Sequence, residues 1–120
     1  MAVWQEIEEP EILFIGDNYD VAEMYRIKLE LDGYRVRVAD RAAAIDQARR
    51  RPPDLLYVDL TERGSHDLQL LARVRKEARR PDLPAVLLSP LTEREFRDQG
   101  MELSSLDYAV RTRPFPELDG

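Results

Sequence analysis

Two aspartates, a serine and an arginine stand at the ends of short apolar runs. Asp17 follows Ile12-Leu13-Phe14-Ile15, and Asp59 follows Leu55-Leu56-Tyr57-Val58. Ser89 follows Ala85-Val86-Leu87-Leu88, and Arg111 closes the run Leu106–Arg111. Apolar runs of this length, bounded by turn signals, read as buried strands. Strands buried on both faces belong to parallel sheets, and ligands of such sheets bind outside the carboxyl ends of the strands. Four separate loops would therefore deliver two carboxylates, a hydroxyl and a cation to one edge. Carboxylates bind hard cations and act as nucleophiles. The plainer role for Asp59, a cap on the next helix, is disfavoured because that helix starts nine residues later, at Leu68.

The elements that would position these residues alternate along the chain. After the first strand and the Gly16-Asp17-Asn18 stop, Val21, Met24, Tyr25, Ile27, Leu29 and Leu31 follow helical spacing. Asn18 or Asp20 would cap that helix and Asp32-Gly33 would end it. Tyr34–Ala39 alternates as an edge strand does, and Arg41–Arg51 reads as a helix turning Ala44, Ile45 and Ala48 inward. A third helix spans Leu68–Ala78, and a fourth, short one spans Thr92–Gln99 before Gly100. Five strands alternating with four helices predict an α/β, doubly wound parallel sheet of flavodoxin-like order 2-1-3-4-5. Residues 1–10 read as an N-terminal extension and 11–120 as one domain.

Composition narrows the function classes. The 120 residues carry a net charge of −6, which argues against direct nucleic-acid binding by the domain as a whole. No Cys is present, so disulfides and thiolate metal sites are excluded. No apolar stretch approaches the ~20 residues of a membrane span, and the acidic N-terminus is unlike a signal peptide. The cytoplasm is the expected compartment. Trp4 reads as a packing residue, and His66, the single histidine, as a loop side chain.

With these residues in place the chain resembles the receiver domains of two-component response regulators, from Glu11 to Phe115. The separations match the family pattern: 30 residues from Asp59 to Ser89 and 22 from Ser89 to Arg111. The resemblance implies that Asp59 is the phosphoacceptor, that Ser89 and Tyr108 form the switch pair, and that Arg111 holds the place of the family's lysine. It further implies a Mg²⁺ site at Asp17, Asp59 and the Thr61 backbone carbonyl. The partner would be a histidine kinase or phosphotransfer protein.

Several departures bear on activity. Gly16 stands where the family has the first of two adjacent acids, which would weaken the Mg²⁺ site. Arginine at 111 keeps the charge of lysine but is longer, planar and bidentate. The stretch Arg111-Thr112-Arg113-Pro114 leaves open whether Arg111 or Arg113 fills the lysine position. Two function classes follow. One is a phosphorylatable receiver, and the other is a phosphorylation-independent pseudo-receiver acting as a protein-interaction module. Only Pro116–Gly120 follows Phe115, so the family's fifth helix is expected to be missing. Apolar surface around Ile12, Phe14 and Val110 would then need covering, either by the Val3-Trp4-Ile7 segment folding back or by a second copy of the chain. The homodimer through the helix 4/strand 5 side is the favoured expectation.

Overall fold

A computed structural model of the chain describes residues 10–60, 68–100 and 103–112. The apolar runs become five strands: β1 (Glu11–Ile15), β2 (Arg35–Ala39), β3 (Leu55–Asp59), β4 (Ala85–Ser89) and β5 (Asp107–Arg111). Between them lie α1 (Tyr19–Leu31), α2 (Ala44–Arg50), α3 (Gln69–Glu77) and α4 (Glu93–Asp98). Every strand pairing is parallel, and the order is β2-β1-β3-β4-β5, as the alternation predicts. Four helices are present among the described residues, and residues 113–120 lie outside them.

The two faces of the sheet are packed unequally. Leu13, Ile15, Leu56, Val58, Ala85 and Leu87 point into the larger core with α2, α3 and α4. Phe14 and Leu88 point the other way, into a smaller cluster with Ala22 of α1, against which Tyr25, Tyr57 and Val86 pack. Side chains alternate along a strand, and Ala109 packs against the larger core. Tyr108 and Val110 therefore fall on the α1 side, where they are 60% and 45% exposed.

Of the residues expected to need covering, Ile12 and Phe14 are fully buried within the chain, whereas Val110 is half-exposed. The Tyr25 ring stacks on Phe14 at a centroid distance of 5.6 Å, and Tyr57 tilts against Tyr25 at 6.4 Å. Large aromatic rings thus cover the centre of this face, and the exposed large apolar side chains among the described residues lie on β5, on the outside of α1 and at Val38 of β2.

Local chemistry sets the helix ends. Asn18 caps α1, its Oδ1 accepting from Val21 N at 3.1 Å, and Gly33 takes φ +98° beyond the helix end. Helix α2 starts three residues later than expected. Asp40 Oδ1 accepts from Ala43 N at 2.8 Å, which holds residues 41–43 in a turn of their own. Leu68 precedes α3 with no side-chain cap, so Asp59 is not that helix's cap.

Arg75 of α3 fastens β5 to the sheet. Its Nη2 donates to Asp107 Oδ1 at 2.7 Å and its Nε to Leu83 O at 2.8 Å. The two side chains are only 12% and 5% exposed. Removing one partner of a buried pair strands the other charge. Asp107→Ala should lower unfolding stability by ~3 kcal/mol in urea titration; a loss below ~1 kcal/mol would place this pair with ordinary surface pairs.

Candidate functional site

The carboxyl edge of the sheet is where the predicted residues gather. Asp59 ends β3, abreast of Leu88, and Leu60 N donates to Leu88 O at 2.8 Å just beyond it. Ser89 ends β4 abreast of Arg111, and Thr112 N donates to Ser89 O at 2.9 Å. On the other side of β3, Ile15 pairs with Val58, which sets Gly16 beside Asp59. Asp17 is the next residue of that same loop. The backbone thus brings Asp17, Asp59, Ser89 and Arg111 to one edge.

Asp59 is only 3% exposed, and Gly16 helps to explain why. A Cβ at position 16 would lie 3.0 Å from Asp59 Cβ, 3.0 Å from Phe14 Cε1 and 3.5 Å from Asp59 Oδ2. The bare glycine therefore gives room to the Asp59 side chain at the place where the family carries another acid. Tyr25 lies close enough to feel the charge. Burial pushes its hydroxyl above the ordinary tyrosine value, and the Asp59 carboxylate pushes it further.

The remaining predicted residues take distinct positions. Asp17 is exposed, and its Oδ1 accepts from Arg41 N at 2.9 Å, tying the loop after β1 to the turn after β2. Ser89 is fully buried, with Oγ accepting from Leu91 N at 3.1 Å. Tyr108 is on the open face of β5. Thr61, Glu62, His66, Arg113 and Trp4 lie outside the described residues. Sequence reasoning passed over Tyr25 and Arg41. Tyr25 was legible only as an inward helical position. Arg41 carried the same strand-end signal as Asp17 and Asp59, because it follows β2.

Asp17 and Asp59 are hard oxygen donors of the kind Mg²⁺ takes. With Gly16 in place of an acid, they make a reduced set. Among the described residues no three His, Cys, Asp or Glu side chains are grouped to hold a metal.

No protein-family model matches the chain. Individual relatives do. The phosphate regulon transcriptional regulatory protein PhoB of Klebsiella pneumoniae is 33% identical over 105 residues, covering 87% of this chain and 45% of that protein. A response regulator from Thermotoga maritima superposes with a TM-score of 0.66 at 26% identity, covering 88% of this chain and 87% of that one. The chain is a response-regulator receiver domain. The chemotaxis protein CheY4 of Vibrio cholerae shares the fold, with a TM-score of 0.72 at 20% identity over 88% of this chain and 89% of that one. This receiver spans about half the length of the curated relatives it matches. Receiver domains are signalling domains of two-component systems rather than classical enzymes, and they generally hold Mg²⁺ at the phosphorylation site. No helix among the described residues is long and apolar enough to cross a membrane.

Two measurements check the geometry around Asp59 in this receiver. Gly16→Ala would press a methyl against Asp59 Cβ and Phe14 Cε1, so it should cost ~1 kcal/mol in urea unfolding; an unchanged midpoint would contradict the close approach. Tyr25 and Tyr57 are both raised above 10.0, chiefly by burial. Above that value the unfolded tyrosines lose protons that the folded ones keep, so stability should fall as pH rises from about 10. Phenolate absorbance in the folded protein should show two of the five tyrosines ionising late.

Proposed function

We propose that this receiver accepts a phosphoryl group on Asp59 from the phosphohistidine of a histidine kinase or phosphotransfer protein. A single observation carries the reading: a buried aspartate ends the central strand β3 at the carboxyl edge, with Asp17 and Ser89 on the flanking loops and strands. A carboxylate oxygen of Asp59 would attack phosphorus, forming an acyl phosphate. The phosphorus–nitrogen bond breaks, and its electron pair returns to the donor imidazole. Catalysis of such transfers is mostly positioning and charge stabilisation. Asp59 is positioned by its strand and by the space over Gly16. Arg111, at the end of β5 and two strands from β3, would supply a positive charge at the same edge.

Asp17 and Asp59 would hold Mg²⁺, together with the Thr61 carbonyl. When bound it neutralises charge on the phosphoryl oxygens. With Gly16 in place of an acid this metal site is weak. Gly16→Asp should tighten Mg²⁺ binding by adding a charge, once Asp59 and Phe14 have shifted by a few tenths of an ångström to admit the side chain. The signal would pass through Ser89 to the α4–β5 side, where Leu91, Thr92, Leu103 and Tyr108 line a groove of about 560 Å³. That groove and the exposed Tyr108 and Val110 form the surface on which a second copy of the chain would dock.

The same burial of Asp59 against Gly16 favours a second reading, a pseudo-receiver in which the fold serves as an interaction module without phosphorylation. Incubation with acetyl phosphate and Mg²⁺, read by intact mass, separates the two. The phosphoacceptor reading expects one added phosphoryl group, lost in Asp59→Asn. An unlabelled wild-type chain would leave the pseudo-receiver, and labelling that persists in Asp59→Asn would place the acceptor elsewhere. Light scattering checks the docking surface: a monomer at tens of micromolar, both with and without label, would rule out the homodimer.

A further inference from the structure

The turn after β2 carries a cation with no assigned role. Arg41 lies at the same carboxyl edge as Asp59. Its main-chain N–H is held by Asp17 Oδ1 at 2.9 Å. Asp17 adjoins Gly16, whose Cβ direction points to within 3.0 Å of Asp59 Cβ. Two residues of chain and one hydrogen bond thus connect Arg41 to the buried carboxylate.

Its side chain is in an unusual state. Nη1 is closed off from water and makes no hydrogen bond among the described residues. A guanidinium carries five donors in a planar fork suited to phosphate oxygens. A buried donor left unmade is costly, and more so when charged. Other arginines with closely placed carboxylates use them: Arg26 bonds Glu23 and Glu30, and Arg75 bonds Asp107. Arg41 has Asp17 nearby, yet the Asp17 contact goes to its backbone. No acceptor for Nη1 is found among the described residues.

We infer that Arg41 is an oxyanion-binding residue of this edge, its buried Nη1 placed to donate to a tetrahedral phosphoryl oxygen. The inference rests in part on the phosphoacceptor reading, since the phosphoryl group on Asp59 is the ligand that would be delivered there; free phosphate offers the same oxygens. A fixed cation of this kind offsets the negative charge that a weak metal site leaves uncompensated. It also acts on the anion itself, before any bond to Asp59 exists.

Inorganic phosphate is the probe that does not depend on chemistry at Asp59. Its affinity is read from the rise in melting temperature with concentration, because a ligand that binds only the folded state stabilises it by mass action. Wild-type protein should bind phosphate, Arg41→Ala should weaken it about tenfold, and Arg41→Lys should fall between. Without phosphate, Arg41→Ala should melt no lower than wild type, because it removes a buried donor that has no partner among the described residues. A purely structural arginine would instead lower the melting temperature and leave the phosphate response intact. Equal phosphate affinity in wild type and Arg41→Ala, or no phosphate response in wild type, would overturn the inference. A parallel acetyl phosphate arm separates the two readings. Unlabelled wild type that still binds phosphate through Arg41 removes the phosphoacceptor and leaves the oxyanion site. Labelling at an unchanged rate in Arg41→Ala, with unchanged phosphate affinity, does the reverse.

Discussion

The closeness of Asp59 to the bare backbone of Gly16 is the constraint on which the site depends. Parallel pairing of β1 with β3 sets the two residues side by side, and the 3.0 Å approach leaves no slack for a side chain at position 16 unless its neighbours shift. Glycine therefore has two effects at once. It leaves no side chain at position 16, and it gives room to the Asp59 carboxylate, which is 3% exposed. A buried carboxylate needs compensation, which turns attention to the charges carried by the surrounding loops and strands.

Those charges are organised by the two edges of the sheet. At the amino edge, Glu11 is paired with both Arg37 and Arg51, while Arg80 reaches Asp54 and Arg75 reaches Asp107. These pairs tie strand starts to the ends of α2 and α3 and, through Arg37, to the neighbouring strand β2. At the carboxyl edge, Asp17 is spent on a backbone N–H and the Arg41 Nη1 makes no hydrogen bond among the described residues. Among the described residues these cross-element ion pairs lie at the amino edge, and the Arg41 Nη1 at the carboxyl edge makes no hydrogen bond. At the carboxyl edge Asn18 and Thr92 cap α1 and α4, and Asp17 and Asp40 accept from backbone N–H groups of the turn after β2.

Much of this was legible in the sequence. The strand order followed from alternation, because each apolar run was short, bounded and separated by one helical stretch. The strand-end rule found Asp17, Asp59, Ser89 and Arg111. It would have found Arg41 had it been applied to the second strand, whose alternating pattern drew attention to its faces instead of its end. The start of α2 was misplaced because Asp40 competes for the Ala43 N–H, a local side-chain effect that periodicity does not register. The cover over Phe14 was missed for a different reason: helical spacing turned Tyr25 inward without showing that its ring would stack there. Nor did residue types alone tell that Gly16 and Asp59 share one volume, because that depends on register.

The account stands on Asp59 being chemically addressable from its buried position. The most direct measurement follows its carboxyl carbon by ¹³C NMR as beryllofluoride and Mg²⁺ are added to the intact chain. The account predicts a new Asp59 carboxyl resonance with accompanying shifts at Gly16, Asp17 and Ser89. An Asp59 resonance that stays in place at saturating beryllofluoride would contradict it.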